Sequence, residues 1–355
     1  MTSCICMNYD YDASDKKRTR PPEAKKNFIP PAEATSRKIV FVKKVFVTTT
    51  LEEEALDMLR RNFEVVTRDP ESVGELDSSI PQRLNGLAGA SAILCSDTDV
   101  IDEQVIEYAG SQLEMICTMA PDTKNIDTVK CQERNIAIYH VGEYCTDSHA
   151  EFISALLLTT ARRLIEGNDE VLRGDWGLWQ PMHLLGTQLT GRTLGFLGID
   201  LVGLGVAQRL RPFGIEKIIY FDKDEHPLAV NVSALKVDIE EIFAKSDFIV
   251  CTLELTPQTE GIVNAQYLGM CKPECIFINT ASAALVNHDD LLQALKEEKI
   301  AGAGLDSTIP EPLPQDSELL ALPNVVVTPH MSSATHRGRT RIAMRLANYM
   351  VNNLA

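Results

Sequence analysis

The stretch Thr193-Leu-Gly-Phe-Leu-Gly198-Ile-Asp200-Leu-Val-Gly203-Leu-Gly-Val-Ala-Gln-Arg-Leu210 constrains this chain more than any other. An apolar run of strand character stops at Gly198, and Val202 to Leu210 then repeat their apolar residues at helical spacing. A strand that turns on glycine into a helix opens a βαβ unit, and in the dinucleotide-binding form the turn reads G-x-G-x-x-G. Here it reads Gly198-Ile-Asp200-Leu-Val-Gly203. Gly198 suits the tight turn and Gly203 the close packing of helix on strand. The middle glycine, which lets a pyrophosphate approach the backbone, is replaced by Asp200. That residue brings a side chain and a negative charge to the place where a cofactor carries its own. An aspartate at a helix start also caps exposed N–H groups, worth about 0.5–2 kcal/mol, and so can stand in for the pyrophosphate.

The rest of the chain repeats this rhythm twice. Residues 1–37 are polar, charged and proline-bearing without apolar periodicity, and read as a disordered tail. A strand is predicted over Arg37–Val47 and a helix over Glu52–Arg61. Short strands at Glu64–Val66, Ala92–Cys95, Met115–Thr118 and Ala137–Tyr139 alternate with helices at Asp102–Ala109 and Asn125–Arg134. The pattern breaks at His140–Asp147, and a long apolar helix is expected over Ser148–Leu164. From Thr193 a second series restarts, with strands at Thr193–Leu197, Lys217–Phe221, Phe248–Cys251, Cys275–Asn279, Ala301–Leu305 and Val325–Thr328. A final helix is expected over Ser333–Asn353. Alternating strands and helices mean parallel sheets covered on their faces. The expected fold is α/β with two Rossmann-like, doubly wound parallel-sheet domains. A substrate-type domain spans 38–140 and 330–355, and a dinucleotide-binding-type domain, 141–329, is inserted in it.

Composition narrows the function classes. A net charge of −16 repels phosphate backbones and anionic lipid, which argues against nucleic-acid or membrane-surface binding. No apolar run reaches the roughly 18 residues of a membrane span. The nine cysteines include no C-x2-C pair, so no metal site is expected, and Cys271 and Cys275 read as reduced bystanders. Without a secretory or transit signature at the first residues, the expected location is the cytoplasm.

Several motifs then carry a family likeness: Gly191-Arg-Thr-Leu-Gly-Phe-Leu-Gly198, Leu210-Arg-Pro-Phe-Gly214, Ser246-Asp-Phe-Ile-Val250, Leu255-Thr-Pro-Gln-Thr-Glu-Gly261, Gly304-Leu-Asp306, Pro310-Glu311-Pro-Leu-Pro314 and Pro329-His330. Together they resemble the D-2-hydroxyacid dehydrogenases. Ala155–Leu164, Arg211–Ile215 and Ser333–Arg337 point to the glyoxylate/hydroxypyruvate reductase branch. The resemblance implies hydride transfer from NAD(H) or NADP(H) to a small 2-oxo acid, without a metal. It assigns His330 as proton donor and Glu311 as the carboxylate that keeps it protonated. An adjacent carboxylate raises an imidazole pKa, as general acid catalysis near neutrality requires. On the cofactor side it implies Gly198, Asp200, Gly203, Asp306 and Asp222, the last placed to meet the adenosine ribose and to favour NAD(H). Lys223 keeps NADP(H) open. The helix at 148–164 and the loop Trp176–Pro181 match the family's dimer-forming region, which implies a homodimer.

Three positions depart from the family pattern. Its arginine, which grips the substrate carboxylate, aligns with Ser282 in Asn279-Thr-Ala-Ser282-Ala283. A serine gives one neutral hydrogen bond in place of a bidentate charged clamp. The substrate loop carries Pro121-Asp122 where the family has a small residue and glycine, so one N–H is lost and a carboxylate is gained. Lys124 is either a replacement charge or a solvated side chain. Asp200 is the third departure. Three readings stay open: a reductase relative with lost or strongly reduced activity kept as a binding or regulatory dimer, a working NAD(P)H-dependent reductase of glyoxylate or hydroxypyruvate with a compensated site, and a scaffold relative that recruits peptide partners.

Overall fold

The structure, a computed structural model, describes residues 42–68, 84–120, 122–142 and 146–354. The expected tail at 1–37, Pro121, and residues 143–145 of the crossing lie outside the described residues.

Two parallel sheets carry the fold. The first has the order β2 (Glu64–Thr67), β1 (Lys44–Val47), β3 (Ala92–Cys95), β4 (Met115–Thr118) and β5 (Ala137–His140). Helices α2 (Glu103–Ala109) and α3 (Thr128–Glu133) cover one face, where Ile93, Ile106 and Ile116 are fully buried. On the other face α1 (Glu53–Asn62) presents Ala55, Leu56 and Leu59 inward, with Glu53 and Glu54 in its first turn and Arg60 and Arg61 in its last. Those charges complement the helix dipole.

The second sheet is larger. In spatial order it runs β12 (Val325–Val327), β11 (Gly302–Leu305), β10 (Ile276–Asn279), β9 (Phe248–Cys251), β6 (Thr193–Leu197), β7 (Lys217–Phe221) and β8 (Ala234–Lys236). One face packs on α4 (Thr146–Ala161) and α6 (Leu201–Leu210) through Ile153, Leu157, Val206 and Phe196. The other packs on α7 (Ile239–Lys245), α8 (Ala265–Leu268) and α9 (His288–Lys296) through Ile242, Phe243, Leu291 and Phe277. Strands buried on both faces explain why nearly every residue of β9 and β10 is apolar. The strand order reverses between β6 and β9, so a crevice opens beyond their carboxyl ends.

The last helix, α10 (His336–Leu354), leaves the second sheet and packs on α1 and β4. Its Ile342, Leu346 and Met350 join the core of the first sheet beside Leu59 and Val47. Each such side chain contributes roughly 1.5–3 kcal/mol by burial, which secures the return of the chain.

Several boundaries shift for local reasons. The helix expected from Asn125 begins at Thr128, because Asp127 caps it by accepting the Lys130 N–H at 2.9 Å. The helix expected over Ser148–Leu164 breaks at Arg163, whose φ of 53° is left-handed, and resumes as α5 (Leu164–Arg173). α10 starts three residues later than expected, capped by the Thr335 hydroxyl on the Gly338 N–H. The edge strand β8 has three residues, too short to show an alternating pattern.

No residue of α5 is buried, and Leu178 and Trp179 in the following loop are 93% and 85% exposed. Among the described residues, no helix is long and apolar enough to cross a membrane.

Candidate active site

The glycine turn lies at the crevice of the second sheet. Gly198 has φ +77°, and a Cβ there would sit 2.6 Å from the Leu253 Cα. Only glycine fits so close to the β9 backbone. Asp200 is the N-cap of α6, and its carboxylate accepts the Gly203 N–H at 2.8 Å. Asp222, past the end of β7, accepts the Ile199 N–H at 3.1 Å and its neighbour's, Lys223, at 2.8 Å. Two backbone donors of the turn are thus taken by the chain's own carboxylates. Lys223 offers its carbonyl to the Lys236 ammonium at 3.0 Å. Cys251, at the end of β9, has its thiol pushed up to about 12, chiefly by burial, and is no nucleophile near neutrality.

A second cluster surrounds His330. Its Nδ1 lies 2.8 Å from the Glu311 carboxylate, and both side chains reach solvent. The residue adopts φ 50°, a conformation that costs a non-glycine residue energy and that surrounding contacts must enforce. Asp306 supplies those contacts. Only 1% exposed, it accepts the Met331 N–H at 3.0 Å, the Ser332 N–H at 2.8 Å and the Thr328 hydroxyl at 2.5 Å. The His330 N–H in turn donates to the Thr328 carbonyl at 3.0 Å. Both Asp306 oxygens therefore work as an anchor for the histidine loop, a task that the spacing Gly304-Leu-Asp306 did not disclose.

His149 on α4 is a neighbour that the sequence did not single out. Burial pushes its imidazole below the ordinary value; Asp306 opposes that shift, while His330 and Arg339 add to it. Its only signal in the sequence is a histidine at the start of an apolar helix, where a partly buried histidine is commonplace.

Ser282 follows β10 and is half-buried at the start of the turn Ala283–Leu285. Asn279 shapes that segment, accepting the Ala281 N–H at 3.2 Å and donating to the Ser282 carbonyl at 3.4 Å. In the loop after β4, the Asp122 carboxylate accepts the Lys124 N–H at 3.1 Å and pairs with its ammonium at 2.7 Å. Burial alone raises this carboxyl, but Lys124 and, less strongly, His140 bring it below the usual range. The charge of Lys124 is therefore spent on Asp122. Pro121 lies outside the described residues.

The structure thus joins His330, Glu311 and Asp306 in one cluster and Gly198, Asp200, Gly203 and Asp222 in another, with Ser282 and Asp122 at the ends of separate strands. Among the described residues no group of three His, Cys, Asp or Glu side chains is placed to hold a metal.

Residues 154–332 match the family model described as D-isomer specific 2-hydroxyacid dehydrogenase, NAD binding domain. The human glyoxylate reductase/hydroxypyruvate reductase is 38% identical over 318 residues, covering 89% of this chain and 96% of that protein. The glyoxylate reductase of Thermococcus litoralis is 35% identical over 317 residues, covering 87% and 92%. A crystal structure of a protein from Thermus thermophilus superposes with a TM-score of 0.77 at 35% identity, covering 86% of this chain and 94% of that one. With a parallel second sheet that reverses at a glycine turn, and with relatives matched over nearly their whole length, the chain belongs to the D-2-hydroxyacid dehydrogenase family.

Proposed function

We propose that the protein is a glyoxylate/hydroxypyruvate reductase-like member of this family whose reduction of 2-oxo acids is lost or strongly reduced. One observation carries the reading: Asp200 fills the pyrophosphate place of the glycine turn with its own carboxylate, 2.8 Å from the Gly203 N–H. With Asp222 on the Ile199 N–H, two negative charges stand at the start of α6, where a dinucleotide would add two more. The helix dipole that attracts a phosphate is already answered. The turn in this state does not fit NAD(H) or NADP(H). Ser282 adds a second loss, since removing transition-state charge of this type costs about 10²–10³ in rate. Nicotinamide affinity measured by calorimetry tests the reading directly.

The working reductase is the second reading, and the His330–Glu311 pair favours it. Glu311 fixes one imidazole nitrogen and stabilises the protonated ring, leaving the other nitrogen to donate to a substrate oxygen. In that reading Asp306 is the positioning residue and Asp222 selects NAD(H). Which reading holds depends on cofactor affinity, because a proton donor without a hydride source does nothing.

For the assembly we infer a cytoplasmic homodimer built on α5 and the Trp176–Pro181 loop, whose exposed Trp176, Leu178 and Trp179 suit burial against a second copy. We place the domain boundaries near residues 140 and 330.

A further inference from the structure

α8 ends at Leu268, and the chain reaches β10 through a tight turn in which the Cys275 N–H donates to the Lys272 carbonyl at 2.9 Å. Cys271 stands at the entry of that turn and Cys275 at its exit. A turn of this kind folds its ends to within about 7 Å, close to the Cα separation that a disulfide spans. Cys275 is fully buried in the core that the second sheet forms with α7, α8 and α9, and Cys271 packs half-buried against the same core. The Cys271 thiol lies 3.9 Å from the Tyr267 carbonyl, and the Cys275 thiol donates a hydrogen bond to the Cys271 sulfur. That hydrogen bond, with burial, holds the Cys275 thiol well above its ordinary range; Asp247 adds to the rise and the Lys272 ammonium opposes it. Two cysteines that spacing alone reads as bystanders are thus neighbours.

We propose that Cys271 and Cys275 form a reversible redox modification site, in which a hydroperoxide oxidises Cys271 and Cys275 closes a disulfide onto it. The inference goes beyond the preceding reading and does not rest on it. The pair stands at the amino end of β10, whereas Ser282 follows the carboxyl end of that strand.

Accessibility selects the first sulfur. Among the described residues, Cys95, Cys117, Cys131, Cys251 and Cys275 are buried, and Cys271 alone reaches solvent. Its thiolate attacks one peroxide oxygen, the O–O bond breaks, and hydroxide leaves. The sulfur loses two electrons and becomes a sulfenic acid, while the peroxide is reduced. The Cys275 sulfur then attacks the oxidised Cys271 sulfur. An S–S bond forms, the S–O bond breaks, and the Cys275 proton leaves with the hydroxyl as water. Because the two sulfurs already touch, this second step is intramolecular and outruns further oxidation of Cys271. A dithiol reductant restores both thiols by exchange.

The full chain, treated with hydrogen peroxide, alkylated in denaturant and cleaved after glutamate, tests this. Cleavage at Glu260, Glu274 and Glu297 puts Cys271 in peptide 261–274 and Cys275 in peptide 275–297, each without another cysteine. A disulfide between them is read by mass as one linked species. That species should form in the native protein and vanish with dithiothreitol. Cys271→Ser should abolish it and leave Cys275 open to alkylation. Cys275→Ala should strand Cys271 as the sulfenic acid, raising its labelling by dimedone at least tenfold over the wild type. Cys271→Ser changes a half-buried position and keeps the test decisive should Cys275→Ala fail to fold. His330→Ala should form the linked species as the wild type does, which separates this site from the candidate active site. The proposal is overturned if peroxide yields no linked species, if the species forms only in denaturant, or if Cys271 links as readily to another cysteine.

Discussion

The Asp200 carboxylate and the Gly203 N–H meet at 2.8 Å, so the backbone donor at the start of α6 is satisfied before any ligand arrives. Replacing Asp200 by glycine removes the side chain and one negative charge from the turn. Asp200→Gly should therefore bring NADH affinity into the measurable range, at a stability cost of only a few tenths of a kcal/mol, whereas Asp200→Ala should cost about 1 kcal/mol through the lost cap. Calorimetry and urea denaturation read the two effects. Low-micromolar NADH binding by the unmodified protein would defeat this account of the turn.

Asp306 holds the left-handed His330 loop by three hydrogen bonds from a buried position. Asp306→Ala should destabilise the protein by at least about 2 kcal/mol, because it leaves two backbone N–H groups without acceptors. Urea midpoints give the number. A loss below about 0.5 kcal/mol would show that solvent replaces the carboxylate and that the loop is held by other contacts.

If His330 and Glu311 are a surviving catalytic pair, the reaction is repairable. Asp200→Gly and Ser282→Arg, combined with Val-Gly in place of Pro121-Asp122, should create glyoxylate or hydroxypyruvate reduction. The unmodified protein should stay at least about a hundredfold below the roughly 10 s⁻¹ of ordinary enzymes. Single changes should do little, since cofactor binding, clamping and proton transfer act as a unit. His330→Ala in the repaired background should remove the gain. A repaired protein that binds NADH and shows no histidine-dependent turnover would end the assignment of this pair.

His149 gives stability a pH dependence. Its folded value lies below the ordinary 6.5, so near neutrality and above it neither state is protonated and nothing is lost. As pH falls through about 6.5, the unfolded chain takes up the proton first, and stability declines until the depressed folded value is reached. His288, pushed down chiefly by burial, acts in the same direction. Urea midpoints at about pH 7.5 and 5.5 should therefore differ less in His149→Gln than in the wild type, and least in the double variant with His288→Gln. An unchanged difference in both variants would assign the acid sensitivity to other groups.

The exposed apolar side chains after α5 bear on assembly. Leu178→Ser with Trp179→Ser should shift a dimer toward monomer by at least tenfold in dissociation constant, as followed by light scattering. A wild-type protein that is monomeric at high micromolar concentration would refute the homodimer.

Much of the fold was legible in the sequence alone. Apolar runs of strand length, each followed by helical periodicity, require parallel sheets with covered faces, because a strand that is apolar throughout is stable only when buried on both sides. The glycine turn was equally plain, since Gly198 and Asp200 act within a few residues of each other and their geometry is local. The break at Arg163 and the short β8 were not legible. One depends on a single left-handed residue, and the other is too short for a pattern. The pairing of His330 with Glu311, 19 residues apart, came from family likeness rather than from spacing.

What tertiary structure alone decided were the partners of the charged groups. Asp306 and Ser332 are 26 residues apart, and Asp222 and Ile199 are 23. Arg68 and Arg339 share a crevice although they belong to opposite ends of the chain. A carboxylate in sequence is a ligand, a cap or an anchor with equal ease. Which of these it becomes depends on the donors that distant strands bring within 3 Å or so of it, because hydrogen bonds weaken steeply beyond that reach. Apolar patterning acts through averages over many residues and survives being read one-dimensionally, whereas the assignment of a single charge does not.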